Sequence, residues 1–212
     1  MNRRLFLARV GGAAAGLLVA GQASSAQEHT ECKKKMKIVV LTGSPRVNGN
    51  SNYMAERFIA GAEEAGHSVY RFDCARHKVA GCLACNACGM NGPCVQKDDF
   101  ELVRPRLIEA DVIVLATPMY YFGFSAQLKT VIDRCYAING IINGAPKKIA
   151  LLMAYADRNR TKEETLLMHY RTLAQYMGWQ DVGAVVAPGV WTAGAIKGTS
   201  YPEEAYRLGK SL

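Results

Sequence analysis

The sequence lacks the patterns that mark several large classes of protein. It has no internal repeat and no low-complexity block, and the apolar stretch near its beginning is too short to cross roughly 30 Å of hydrocarbon with ease, so we expect no stable membrane anchor. Basic residues interleaved with aromatics are missing, and no nucleic-acid partner is expected. The segment 42–52 matches neither G-x-G-x-x-G nor GxxxxGK[ST], which disfavours dinucleotide and P-loop nucleotide sites.

Acidic residues are absent from the beginning of the chain. The whole sequence carries 26 Lys and Arg against 18 Asp and Glu, a formal net charge of +8. No acid precedes Glu28, and Arg3, Arg4 and Arg9 supply three of these positive charges, which leaves +5 for the rest. This modest excess favours anionic partners such as nucleotides. The lysines within 33–37 are interpreted as a solvated linker.

Residues 1–26 have the composition of an export signal. Paired arginines within 2–7 are followed by a Gly- and Ala-rich apolar stretch at 10–20 and by small residues at 24–26 that suit cleavage. Paired arginines are typical of the twin-arginine route, so we expect a periplasmic protein, with a linker at 27–35. A disordered cytosolic tail is the alternative.

The remaining residues, 36–212, alternate between predicted strands and predicted helices. Strands are predicted at 36–41, 67–73, 111–116, 148–154 and 181–187, with helices at 53–65, from Asp98-Asp99 to about Ala110, from Ser125 onward, and at 161–177 and 202–209. Parallel neighbours need crossover connections, so this alternation predicts one α/β domain with a parallel sheet and helices on both faces.

A small polar loop, TGSPRVNGNSN at 42–52, joins the first strand to the first helix. Gly43 and Gly49 permit close backbone approach, and the start of the helix favours an anion. We predict that phosphate is held by the donors Ser44, Arg46, Asn50 and Ser51. The alternative is an ordinary strand-to-helix turn in which Ser51 caps the helix.

The loop after the third strand is unusually aromatic. A hydrated loop should not expose so many rings, and an isoalloxazine is a flat group that they could cover. The predicted ring-binding residues are Pro118, Met119, Tyr120, Tyr121 and Phe122. Tyr155 is a weaker candidate for the flavin edge, and 190–192 a weaker one still. The alternative is that the rings pack in a dimer interface or over the sheet.

Four cysteines follow the spacing C-x2-C-x2-C-x5-C within an irregular insertion at 74–97. Cys82, Cys85, Cys88 and Cys94 can converge on one centre, and the spacing fits a [4Fe-4S] cluster. A structural zinc, two disulfides or free thiols remain alternatives. Because the insertion follows the second strand, we expect it at the same end of the sheet as the two loops above.

Three of these segments resemble one family. GSPRxNGNS after a first strand is similar to the phosphate loop of the flavodoxin-like NADPH-dependent FMN reductase family, and 117–134 resembles its isoalloxazine loop and following helix. Residues 81–99 resemble the iron-sulfur flavoprotein branch. The resemblance covers roughly 36–212 and departs at Asn48, where a lysine is expected. It implies a flavodoxin-like, doubly wound five-stranded parallel sheet in the order 2-1-3-4-5.

The resemblance also implies a function. It points to an FMN-dependent oxidoreductase that passes electrons between FMN and a [4Fe-4S] cluster, with no catalytic side chain assigned because FMN carries the chemistry. Small-molecule or protein donors and acceptors, including NAD(P)H or a quinone, and a homodimer or homotetramer are expected. The alternatives are a cluster-free NAD(P)H-dependent FMN or quinone reductase and a non-catalytic electron carrier that docks protein partners.

Overall fold

The computed structural model describes residues 34–212. The predicted signal peptide at 1–26, most of the predicted linker at 27–35 and Cys32 lie outside the described residues. Among residues 34–212, no helix is both long enough and apolar enough to cross a membrane.

Five strands of the described chain form one parallel sheet. Their order is β2-β1-β3-β4-β5, which confirms the predicted flavodoxin-like α/β architecture. The strands are β1 (Lys37–Thr42), β2 (Ser68–Asp73), β3 (Val112–Pro118), β4 (Lys148–Ala154) and β5 (Gln180–Ala187).

Six α-helices of residues 34–212 cover the two faces of this sheet. They are α1 (Asn50–Glu64), α2 (Phe100–Glu109), α3 (Ala126–Arg134), the single turn α4 (Asn139–Ile142), α5 (Glu164–Met177) and α6 (Tyr201–Ser211). Short 3₁₀ segments at 135–138, 160–163 and 195–198 complete the connections.

The core is divided by the sheet because side chains of a strand alternate between its two faces. In β1, Val40 faces the layer that contains Met54 of α1 and Ala205 of α6. The neighbouring Leu41 faces the layer formed by α2, α3 and α5, where Leu128 is fully buried. β3 and β4 are buried almost throughout, as expected for parallel strands covered on both sides.

Two predicted helix starts moved by three residues, for identifiable reasons. α1 begins at Asn50 rather than at Tyr53, because extended Gly49 occupies the N-cap position. α5 begins at Glu164, since the predicted start at Thr161 lies within a 3₁₀ turn. All strands are parallel, so the loops that follow β1, β3, β4 and β5 meet at one edge of the sheet.

Candidate functional site

A cleft of about 270 Å³ opens at the edge where the carboxyl ends of the strands meet. Its walls come from the loops after β1, β3, β4 and β5. Eight of the ten predicted FMN-binding residues line it, namely Ser44, Arg46, Asn50, Ser51, Pro118, Met119, Tyr120 and Tyr155. Sequence reasoning gave little weight to Val190 and Trp191, and the structure places both in the wall.

One end of the cleft has the properties of an anion site. The first turn of α1 begins at Asn50, and a helix start leaves N–H groups without intrahelical partners and carries positive partial charge. Ser51 lies in this turn rather than at the cap, so the capping alternative is not what the structure shows. Its Oγ is buried and has no hydrogen-bond partner in the described chain. The residues present therefore fit a bound phosphate.

The loop that precedes this helix is tightly folded. Ser44 Oγ accepts a hydrogen bond from the Arg46 N–H at 3.3 Å, and Arg46 Nη1 donates to the carbonyl of Trp191 at 3.4 Å. A Cβ on Gly49 would lie 2.4 Å from Ser44 Oγ. Glycine is thus required by close approach rather than by an unusual φ, since Gly49 has φ −68°.

Asn50 has a structural role that the sequence did not predict. Its Nδ2 donates to the carbonyls of Val190 and Thr192 at 3.0 and 2.9 Å, and its Oδ1 accepts from the Ile196 N–H at 3.3 Å. Both amide donors of Asn50 are used within the protein. The side chain ties the loop after β5 to the start of α1, and a direct contact with phosphate stays a prediction.

The aromatic loop divides into a wall and a tip. Met119 N donates to the carbonyl of Ala154 at 2.9 Å, which fixes this wall against β4. Tyr120 and Gly123 then pair with each other, so the chain reverses through Tyr121 and Phe122, which have φ of 44° and 64°. Tyr121 is fully exposed and Phe122 about half exposed, and neither lines the cleft. The tight reversal therefore leaves two of the five predicted ring-binding residues outside.

Tyr155 is held by a carboxylate that the sequence did not reveal. Its hydroxyl donates to Glu163 Oε2 at 2.6 Å, and Arg160 pairs with the other oxygen at 3.1 Å. Burial, together with the hydrogen bond to Glu163, raises the pKa of the Tyr155 phenol well above its usual value. Tyr155 is therefore a neutral, oriented wall residue.

The four predicted metal ligands line a second pocket. Cys82 and Cys85 are exposed, Cys88 and Cys94 are half-buried, and the pocket also includes Arg134. Within residues 34–212 no disulfide forms, and no set of three or more His, Cys, Asp or Glu side chains is arranged to hold a metal ion. The thiols fit a metal centre in number and type, but they would have to rearrange to coordinate one.

Residues 74–97, which we call the cysteine loop, are closed by a polar neck. Asp98 Oδ2 accepts from Arg134 Nη1 at 2.6 Å and from the Ala80 N–H at 2.9 Å, while Oδ1 accepts from the Phe100 N–H at 3.1 Å. Burial would raise the pKa of Asp98, but these donors, with Arg134 first, lower it below its usual value. Asp98 is thus the ionised centre of the neck. The N-cap residue of α2 is Asp99, whose side chain makes no capping hydrogen bond, and it is Asp98 that accepts from the first residue of the helix.

Helix α3 runs between the two sites. At its start, Ser125 Oγ donates to the carbonyl of Gly43 at 2.8 Å, and at its end Arg134 lines the cysteine pocket. Its nine residues correspond to about 13 Å at about 1.5 Å per residue. The cleft and the pocket share no lining residue. The cysteine loop follows the carboxyl end of β2 and so leaves the sheet at the same edge as the cleft, and a cluster near the flavin ring stays a prediction.

Comparisons with known proteins agree with this geometry. A model of the protein family described as NADPH-dependent FMN reductase matches residues 36–192. An iron-sulfur flavoprotein of Archaeoglobus fulgidus is 37% identical over 47% of this chain and 45% of its own length. Another, of Methanocaldococcus jannaschii, is 30% identical over 62% of this chain and 68% of its own length. The aligned part thus spans about half to two thirds of these relatives.

Solved structures share the fold. The NAD(P)H:quinone oxidoreductase from Methanothermobacter marburgensis superimposes with a TM-score of 0.66, covering 84% of this chain and 96% of the other. The two sequences are 19% identical, so this likeness concerns the fold alone.

Proposed function

Because the chain belongs to the NADPH-dependent FMN reductase family and is an FMN-binding oxidoreductase, we propose that it passes electrons between FMN in the cleft and a [4Fe-4S] cluster in the cysteine pocket. The main support for FMN binding is the Ser51 hydroxyl, which lies at the start of α1 and has no hydrogen-bond partner in the described chain. It lies in a cleft that Arg46 and Tyr120 also line. When bound, FMN supplies hydride and single-electron chemistry.

The residues of the chain bind and orient the cofactor. Ser44, Arg46, Ser51 and the first turn of α1 would hold the phosphate, while Pro118 to Tyr120 would form the wall against the ring. Tyr155 is neutral at pH 7, as phenols ordinarily are, and burial together with the hydrogen bond to Glu163 raises its pKa further. The Tyr155 ring would therefore contact the flavin as an uncharged wall of the cleft.

Four free thiols around one pocket support the cluster half. Protein purified without oxygen should contain FMN and about four irons per chain. A Cys88→Ala variant should lose iron and retain FMN, because no cysteine lines the flavin cleft. Zinc in place of iron, or thiols blocked as disulfides, would contradict the cluster and leave the flavin assignment intact.

A cluster-free NAD(P)H-dependent FMN or quinone reductase is the second candidate. It is favoured by one observation, that the described residues hold no side-chain group in metal-binding arrangement. Steady turnover of NAD(P)H with a quinone by iron-free protein would establish it. No turnover with any small donor, together with reduction by a protein partner, would instead identify an electron carrier.

We also propose that the protein is exported to the periplasm by the twin-arginine route. Arg3 and Arg4 before a weakly apolar, Gly-rich stretch support this. Replacing both with lysine should trap the precursor in the cytoplasm. Unchanged periplasmic accumulation in a strain without the twin-arginine translocase would refute it.

We further propose a homodimer or homotetramer. Tyr121 and Trp191 are largely exposed beside the cleft, and aromatic side chains are enriched where proteins associate. Light scattering at micromolar concentration should give a multiple of the chain mass. A single-chain mass would contradict the proposal.

A further inference from the structure

Arg134 is a buried arginine beside the four cysteines. Its side chain is 1% exposed and lines the same pocket as the thiols. Burying a guanidinium is unfavourable unless partners compensate for its lost hydration. The partners of Arg134 therefore show what it does.

These partners lie at both ends of the cysteine loop. Arg134 Nη1 donates to Asp98 Oδ2 at 2.6 Å and to the carbonyl of Ala80 at 2.9 Å, and Nη2 reaches the carbonyl of Gln96 at 3.5 Å. Ala80 precedes Cys82, and Gln96 follows Cys94. One side chain thus joins the two chain segments that flank the four cysteines, one before Cys82 and one after Cys94.

One nitrogen of the Arg134 guanidinium makes none of these hydrogen bonds. Nε is buried and has no hydrogen-bond partner among residues 34–212. A buried N–H donor without a partner is unfavourable, and the thiolate sulfurs of the adjoining pocket are acceptors that could pair it. Beyond its ion pair with Asp98, Arg134 therefore has a donor to offer in the pocket of the cysteines.

We propose that Arg134 is the positioning residue of the cysteine-held centre, fixing both ends of the loop and placing a buried positive charge beside the thiolates. This rests on the [4Fe-4S] cluster proposed above. One-electron reduction adds negative charge to a cluster, and a nearby cation stabilises that charge, so Arg134 raises the reduction potential. Asp98, with the opposite charge, lowers it.

Three variants and one control test the proposal in anaerobically reconstituted full-length protein. Arg134→Gln removes the charge, Arg134→Lys keeps it without the planar fork, and Asp98→Asn removes the opposing charge. Arg104→Gln is the control, because Arg104 pairs with Glu101 on α2, outside the pocket. Each protein is titrated against redox mediators, and FMN content is measured to show that it has folded.

The charge variants should move the potential in opposite directions. At the wild-type midpoint, where half of the clusters are reduced, we expect at most about one in ten reduced in Arg134→Gln, a tenfold shift equal to about 59 mV for one electron. Asp98→Asn should be mostly reduced at that potential. Arg134→Lys should stay within about threefold of wild type yet lose iron to a chelator faster, since a lysine cannot join both ends of the loop.

The outcomes separate this role from the cluster itself. Absence of iron from the wild type would overturn both the cluster and the role of Arg134. A normal wild-type cluster whose potential is the same in Arg134→Gln, or is lowered by both charge variants, would overturn only the role of Arg134, because a merely structural neck predicts no opposed shifts.

Discussion

A glycine of the flavin cleft and a glycine of the cysteine loop are packed very differently. At Gly43, a Cβ would lie 2.3 Å from Ser125 Oγ and 2.8 Å from the Leu128 Cβ, so the cleft loop has no spare room. At Gly81, in the cysteine loop, a Cβ would meet nothing within 4 Å. The cleft takes its shape from packing against the helices and the sheet.

Beyond its neck, the cysteine loop is held at separate points, since the Gly140 N–H donates to the carbonyl of Met90 at 2.9 Å and the Tyr136 hydroxyl donates to Asn86 Oδ1 at 3.0 Å. Ala84, Asn86 and Met90 all have φ between 53° and 61°, in the left-handed region that is unfavourable for side chains with a Cβ. Metal sites commonly gain their final shape when the metal binds, because coordination and folding are coupled. The comparison therefore contrasts a preformed site with one that its cofactor would complete.

Arg46→Gln should give the largest change in cofactor affinity. A charge-assisted hydrogen bond is worth about 1.5–3 kcal/mol, so FMN should bind on the order of ten- to a hundredfold more weakly. Riboflavin, which lacks the phosphate, should bind as before. Flavin fluorescence measures both affinities, and Arg57→Gln on the surface of α1 is the control. Equal losses for both flavins would mean that the cleft is less preformed than the comparison states.

Local sequence was sufficient where a site depends on neighbouring residues. The strand–loop–helix pattern around Gly43 and Gly49 predicted a phosphate loop, and the cleft forms there. The pattern could not predict that the Asn50 side chain donates hydrogen bonds to the carbonyls of Val190 and Thr192, about 140 residues further along the chain. Contacts of this kind depend on the assembled sheet.

Composition alone was not sufficient at the aromatic loop and at the cysteines. A run of rings indicates an apolar partner, but it does not reveal that positive φ at Tyr121 and Phe122 turns them out of the cleft. Cysteine spacing identified the pocket, but it could not reveal that Arg134, at the end of α3, lines the same pocket. Spacing gives the type of ligand, and tertiary packing decides what surrounds it.

Gly43→Ala tests whether the loop of the flavin cleft is as tightly packed as the distances around Gly43 indicate. The added methyl group would overlap Ser125 and Leu128, and overpacking of this kind costs about 1–3 kcal/mol of unfolding free energy. Gly81→Ala is the matched control, expected to change stability by no more than about 0.5 kcal/mol. Urea unfolding of the ligand-free proteins measures both. Similar losses in the two variants would break the contrast between packed and open backbone.

Ser51→Ala should have a smaller effect, and only when FMN is present. Its hydroxyl has no partner in the described chain, so the ligand-free stability should not fall. Loss of one uncharged donor to the ionised phosphate should weaken FMN binding by about 1.5 kcal/mol, or about tenfold, the lower end of the range for hydrogen bonds to charged groups. Ser125→Ala, by contrast, should lower ligand-free stability by about 1 kcal/mol, because Ser125 caps α3. A loss of ligand-free stability in Ser51→Ala would contradict its assignment to the anion site.

Tyr121→Gly should have the smallest effect and the opposite sign. Glycine at φ 44° relieves about 1–2 kcal/mol of left-handed strain, against about 0.4–1 kcal/mol of added chain entropy in the unfolded state. We therefore expect a gain in stability of up to about 1.6 kcal/mol. FMN affinity should stay within about twofold, because Tyr121 is fully exposed and lies outside the cleft, whereas Tyr120→Ala, in the wall, should weaken it. Urea unfolding and flavin titration measure the two quantities. A marked loss of FMN affinity in Tyr121→Gly would show that the tip closes over the bound ring, so that the flavin cleft, like the cysteine loop, is completed by its cofactor.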